Sequence, residues 1–178
     1  MTRLWTGKGD DGTTGLLYGG RVPKSSDRVE AVGALDEAQA AIGVARSEVP
    51  RGELDELLVT VERDLWVLMA EAATEDANRG KLAAGTSLVT EAMVTTVEAA
   101  ITDLAARTEL PTEFVVPGQD RASALLDLAR TVVRRAERAM VPVAADGSLV
   151  LPYLNRLSTL LWTLARFVEA SPLLSTDR

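Results

Sequence analysis

From Asp27 onward, Val29, Val32, Leu35, Ala38, Ile42 and Ala45 recur at steps of three and four, the spacing that lines one face of a helix. Ser25, Ser26 or Asp27 can cap this run, and Pro50 with Gly52 stops it. A second amphipathic run carries Leu54, Leu57, Leu58, Val61, Leu65, Leu68 and Met69, then fades into the polar stretch from Asn78 to Gly85. A third, predicted from Ser87 to Arg107, carries Val89, Met93, Val97, Ile101 and Leu104. After a loop with Pro111 and Pro117, a fourth extends from Asp120 to Met140, and a fifth from Pro152, which suits a first helical turn, to Ala170. Only Glu113 to Val116 and Leu149 to Leu151 look extended, and both are too short to build a sheet. The pattern predicts an all-α protein, an up-and-down bundle of about five helices in one domain spanning residues 1–178.

Residues 6–26 stand apart: six glycines and Pro23 are interleaved with hydroxyls and charges, so this segment is expected as a Gly-rich loop preceding the bundle (27–170). Composition narrows the chemistry. Lys and Arg number 19 against 26 Asp and Glu, and the net charge of −7 argues against a broad nucleic-acid or anionic-membrane surface. With no Cys and no His, zinc fingers, HExxH sites, His-iron sites, thiol nucleophiles and Ser-His-Asp triads are excluded together. Carboxylates, Lys, Arg, hydroxyls, amides and a bound co-substrate remain. No apolar run reaches membrane-spanning length and Met1 to Trp5 lack a signal-peptide core, so a cytoplasmic protein is expected.

Gly7, Gly9 and Gly12 fit the GxGxxG spacing, but no strand precedes them, and Asp10 and Asp11 would repel a pyrophosphate. Gly15 to Gly20 has Walker A spacing without its Lys and Ser/Thr. A carboxylate-bridged di-metal bundle needs Glu-x-x-His, which is absent. The loop still offers backbone N–H groups, Thr6, Thr13 and Thr14 hydroxyls, and Lys8 and Lys24 charges to an anion; the plainer alternative is a flexible arm. In the fourth helix, Ser123, Asp127, Arg130, Arg134 and Arg138 share one face, with Leu125, Leu128, Val132, Ala136 and Ala139 expected opposite. Arginines four apart repel unless an anion or a partner carboxylate is supplied, and a polyphosphate would satisfy them; a solvated face with pairs such as Glu137 to Arg134 is the bland alternative.

The motifs Thr6 to Thr14, Arg21-Val-Pro-Lys24, Arg28 to Glu37, Phe114-Val-Val-Pro-Gly118, Ala129 to Arg138 and Leu154-Asn-Arg-Leu-Ser158, in this order, resemble the PduO-type ATP:cob(I)alamin adenosyltransferases nearly end to end. The resemblance implies a ferritin-like helical bundle that assembles as a homotrimer with sites between subunits. It implies transfer of the 5′-deoxyadenosyl group of ATP to cob(I)alamin, with Mg²⁺ on the phosphates, and a reductase and an adenosylcobalamin-dependent enzyme as functional neighbours. By the same resemblance, Thr6, Gly7, Lys8, Gly9, Thr14, Gly15 and Lys24 form the nucleotide loop, Arg134, Arg135 and Arg138 take phosphates, and Asn155 contacts the nucleotide. Asp36 and Arg130 correspond to a pair that meets across a subunit interface and shapes the corrinoid site, and Phe114 to an aromatic wedge under the corrin. The chain departs from the family pattern at Thr6-Gly7-Lys8-Gly9, where the basic residue is displaced by one, at Gln119 for a glycine, at Asp127 for a frequent histidine and at Thr159 for a frequent aspartate. The alternative reading is a catalytically weak homologue that binds or delivers adenosylcobalamin or ATP.

Overall fold

The computed structural model describes residues 5–169 and 171–176. Its bundle consists of α1 (Asp27–Ser47), α2 (Glu53–Ala72), α3 (Glu91–Ala106), α4 (Arg121–Met140) and α5 (Val150–Val168). α4 packs on both α1 and α5, α2 covers α1, and α3 covers α5. Between them lies one continuous core in which Leu35, Ile42, Leu58, Leu65, Leu126 and Leu157 are fully buried. Burying each such side chain contributes about 1.5–3 kcal/mol relative to exposure. Among the described residues no helix is long and apolar enough to cross a membrane.

The helices begin and end where local chemistry permits. Thr90 caps α3 by accepting from the Met93 N–H at 3.3 Å, and Asp120 caps α4 by accepting from the Ser123 N–H at 2.8 Å. Ser26 occupies the cap position of α1, yet its hydroxyl makes no cap hydrogen bond. The expected start of α3 at Ser87 is corrected to Glu91, because Ser87 Oγ is used to accept from the Ala83 N–H at 2.9 Å and close a turn. Val89, read as helical, is buried outside the helix, its N–H donating to Glu71 Oε2 at 2.8 Å. Leu149 to Leu151, read as extended, instead opens α5. That helix ends at Val168; Ala170 and the reading of Met1 to Leu4 lie outside the described residues.

The N-terminal segment is not merely a loop. β1 (Thr13–Gly15) and β2 (Arg21–Pro23) pair antiparallel, Thr14 opposite Val22. The turn between them needs positive φ at Gly19 (104°), Gly20 (88°) and Tyr18 (64°), the last an uncommon conformation for a residue with a side chain. Leu17 N–H donates to the Ala73 carbonyl at 2.9 Å, and Arg28 Nη1 donates to the carbonyls of Ala72 and Thr74 at 2.8 Å each. The Leu17 bond fastens the hairpin to the end of α2, and the Arg28 bonds tie the start of α1 to the same place.

A second small sheet forms at the opposite end: β3 (Val115–Val116) pairs with β4 (Leu173–Leu174), a strand absent from the sequence-based expectation. The Ser175 N–H adds a bond to the Phe114 carbonyl at 2.8 Å.

Candidate functional site

α4 links the two ends, about 30 Å apart at 1.5 Å per residue. Its buried stripe is Ser123, Leu126, Ala129, Val133, Ala136 and Met140. Leu128, expected on the apolar face, is 55% exposed, because the true core face is rotated from the expected one. The same rotation buries Ser123 and Asp127, the first members of the expected polar ladder, while Arg134 and Arg138 stay exposed.

Arg134 has no carboxylate partner among the described residues, and Arg138 turns Nη1 to the Arg134 carbonyl at 3.0 Å. The alternative pairing of Glu137 with Arg134 is not formed; Glu137 Oε1 instead accepts from Asn155 Nδ2 at 3.3 Å, across from α5. Asn155 also accepts from Arg156 Nη1 at 3.0 Å. Arg135 leaves this group and pairs with Glu37 of α1. Of the expected phosphate ligands, the structure therefore brings Arg134, Arg138 and Asn155 to one side of the α4–α5 pair and directs Arg135 elsewhere.

In the hairpin, Arg21 is the organiser. Its Nη2 donates to the Lys8 carbonyl and to Thr13 Oγ1, both at 2.5 Å, and Nε donates to Thr13 Oγ1 at 3.0 Å. Thr13 in turn donates its N–H and hydroxyl to Asp11 Oδ1 at 2.9 and 2.8 Å, and the hydroxyl's bond holds the Asp11 carboxyl below its usual range. Gly9 sits so close to Lys24 that a Cβ there would lie 3.1 Å from Nζ. Gly7 turns with φ 70°, and Thr6 Oγ1 accepts from the Lys8 N–H at 3.3 Å. Thr14 and Gly15 lie in β1. Neither Lys8 nor Lys24 forms an ion pair among the described residues, so both charges are available to an anion. No hydrogen bond or ion pair joins this loop to Arg134, Arg135 or Arg138 within the chain, again among the described residues.

At the other end, a cleft of about 450 Å³ is lined by Phe114, Val115, Asp127, Arg130, Trp162 and Arg166. It continues past Arg130 and Trp162 into a shallower cleft of about 220 Å³ that reaches Arg134, Ser158 and Thr159. Phe114 is 87% exposed, which disposes of a core role for the ring. Arg130 Nε donates to Asp127 Oδ1 at 3.3 Å, and its terminal nitrogens make no other hydrogen bond or ion pair among the described residues. Asp36 is elsewhere: it lines a cleft between α1 and α2 with Gln39, Arg46, Glu62, Arg63 and Trp66. Asp36 and Arg130 do not meet within one chain.

Sequence reasoning missed Arg166. It is 4% exposed, and Nη2 donates to Asp127 Oδ2 at 2.8 Å while Nε lies 2.9 Å from Glu169 Oε2. The available signal was a single cation inside the apolar run from Leu160 to Val168. Among the described residues no group of three or more acidic side chains is placed to hold a metal ion.

A family model described as cobalamin adenosyltransferase matches residues 4–168. A corrinoid adenosyltransferase of Citrobacter freundii is 35% identical over 175 residues, covering 97% of this chain and 98% of that protein. The chain is also 35% identical over 166 residues to the corrinoid adenosyltransferase PduO of the same organism, of whose length it spans about half (49%). Among solved structures, a phenylalanine-to-histidine variant of the PduO-type ATP:corrinoid adenosyltransferase from Lactobacillus reuteri, complexed with cobalamin and ATP, superposes with a TM-score of 0.87. It covers 98% of this chain and 97% of that one at 24% identity, a likeness of fold.

Proposed function

The chain belongs to the cobalamin adenosyltransferase family, and we propose on that footing that it transfers the 5′-deoxyadenosyl group of ATP to the cobalt of a corrinoid in the Co(I) state. The cobalt electron pair forms the bond to C5′, the C5′–O bond breaks, and its electron pair leaves with triphosphate. The metal is the nucleophile and part of the substrate, so the protein needs no nucleophile or general base. A chain without Cys or His can do what remains: align C5′, neutralise the departing phosphates and keep the cobalt accessible.

The observation that carries this reading is the arrangement along α4. Arg134 and Arg138, without carboxylate partners, lie toward its C-terminal end, and the open cleft with Phe114 and Arg130 lies toward its start. From Arg130 to Arg138 is about 12 Å along the helix axis, enough to separate a phosphate region from a planar macrocycle. Thr6, Gly7, Lys8, Gly9, Thr14, Gly15 and Lys24 would complete the phosphate cradle. Mg²⁺ would take its ligands chiefly from phosphate oxygens and water, as is usual for that ion on nucleotides. Phe114 would press an apolar ring against the lower face of the corrin and exclude a donor ligand there.

The unjoined loop and arginine helix, and the separation of Asp36 from Arg130, support a homotrimer in which each site takes its loop from one chain and its α4 from the next. A single domain spanning residues 1–178, a cytoplasmic setting, and a reductase and an adenosylcobalamin-dependent enzyme as neighbours complete the proposal. The deciding experiment is anaerobic mixing of the protein with ATP and chemically reduced cob(I)alamin. The absorbance should change to that of adenosylcobalamin over many turnovers. Binding of both substrates without turnover would replace the enzyme by a carrier, and absence of corrinoid binding would end the reading.

A further inference from the structure

α4 and α5 are tied by a chain of four alternating charges. Arg130 contacts Asp127 Oδ1 at 3.3 Å; Asp127 Oδ2 accepts from Arg166 at 2.8 Å; Arg166 Nε lies 2.9 Å from Glu169 Oε2; and Glu169 Oε1 accepts from Ser123 Oγ at 3.1 Å. The chain is neutral overall, and three of its four charges are out of water, with side-chain exposures of 6% for Asp127, 2% for Arg166 and 0% for Glu169. Arg130 is its most exposed member, at 29%, and lines both clefts beside Trp162, while Asp127 and Arg166 border only the larger one.

Stability alone is a weak reason for such an arrangement, since desolvating buried charges offsets most of their attraction and apolar packing would serve as well. The geometry favours another role. Asp127 holds Arg130 by one contact to Nε, so how well Arg130 is oriented depends on how firmly the carboxylate itself is held. The shorter bond from Arg166 orients the carboxylate, and Glu169, whose Oε2 lies 2.9 Å from Arg166 Nε without hydrogen-bond geometry, balances the charge of Arg166. Arg130 is thereby held by Nε, leaving its two terminal nitrogens for whatever enters the cleft.

We propose that Arg166 is a positioning residue which, through Asp127, holds Arg130 at the mouth of the Phe114 cleft. The inference rests on the corrinoid reading given above and names a residue in the wall of that cleft whose part is to act through Asp127 and Arg130. It also gives a physical reason for aspartate at position 127: a carboxylate can accept from two guanidinium groups at once, whereas an imidazole cannot.

The test uses two variants, because removing Arg166 alone would strand two buried carboxylates. The first is the charge-balanced pair Arg166→Met with Glu169→Gln, and the second is Asp127→Asn. Arginine Nε–H exchange measured by NMR reports Arg130 directly, and titrations of ATP and of cob(II)alamin on the ATP-loaded protein report the two substrate regions. In both variants Arg130 Nε–H exchange should rise and corrinoid affinity should fall, each by about tenfold, equivalent to 1.4 kcal/mol, with ATP affinity unchanged. Wild-type protection of Arg130 in either folded variant overturns the inference, and so does a parallel loss of ATP and corrinoid affinity. If the wild-type protein binds no corrinoid, the functional reading fails, while the exchange measurement still decides whether Arg166 positions Arg130.

Discussion

Phe114→Ala separates a functional ring from a structural one. At 87% exposure, about 13% of the residue's surface is covered. With roughly 200 Å² for a phenylalanine side chain and about 25 cal/mol per Å², the substitution forfeits about 0.7 kcal/mol, against about 3–5 kcal/mol for a buried one. For a chain of this size that is a melting shift of about 1–3 °C. The backbone at Phe114 is held independently of the ring, by the β3–β4 pairing and by the Ser175 N–H on its carbonyl, so the loop should keep its course. Thermal unfolding followed by circular dichroism should show that small shift. ATP affinity should be retained, while turnover with cob(I)alamin falls sharply and the four-coordinate cob(II)alamin spectrum formed with ATP bound disappears. A melting loss corresponding to about 3 kcal/mol or more would refute the exposure argument, and an undiminished four-coordinate spectrum in the variant would refute the wedge.

Other outcomes follow from the same structure. Arg134→Ala or Arg138→Ala, each deleting a guanidinium with no carboxylate to strand, should raise the KM for ATP or lower kcat by about tenfold or more, as expected for losing a charge-assisted bond of roughly 1.5–3 kcal/mol, with helicity unchanged. Sedimentation should show a homotrimer, and Asp36→Asn should impair corrinoid use more than ATP binding; an active monomer would defeat the intersubunit site. Burial holds the carboxyl of Asp64 above its usual range, where it accepts from Tyr153 Oη at 2.8 Å. It therefore keeps its proton to a higher pH when folded than when unfolded, and its contribution to stability, full below the unfolded value near pH 4, is lost as pH rises through the folded one. Asp64→Asn, which retains an acceptor, should flatten that fall in urea midpoints measured upward from about pH 4, whereas Asp64→Leu should cost about 1–3 kcal/mol by orphaning the buried tyrosine hydroxyl.

The helices were legible because their core positions repeat: Leu35, Ala38, Ile42 and Ala45 are buried as their spacing required. α4 was harder. Its apolar residues are small or scattered, so both Leu125–Leu128–Val132 and Leu126–Ala129–Val133 are admissible stripes, and only packing against α1 and α5 selects the second. The strand at Leu173–Leu174 was invisible because two residues carry no periodicity; its partner in the Phe114 loop defines it. The arginine ladder could be read from spacing, but the sequence did not show that its upper part turns inward. Asp127 looked like one more polar residue on a wet face, and Arg166 drew no reading at all. Each makes sense only with the other, 39 residues away in the chain.

That distribution of charge bears on why one chain leaves the proposed site incomplete. At the Phe114 end, buried Arg166 and half-buried Arg130 are neutralised locally by Asp127 and Glu169, whereas Arg134, Lys8 and Lys24 are left without carboxylate partners among the described residues. In a protein of net charge −7, with carboxylates in excess, uncompensated cations are not forced by composition. They persist where neighbouring acids are already engaged: Glu137 by Asn155, Asp11 by Thr13 and Arg21, and Glu37 by Arg135. Two separate groups of free cations, one on the hairpin and one on α4, each hold too few charges to neutralise a triphosphate. Brought together across an interface they would suffice.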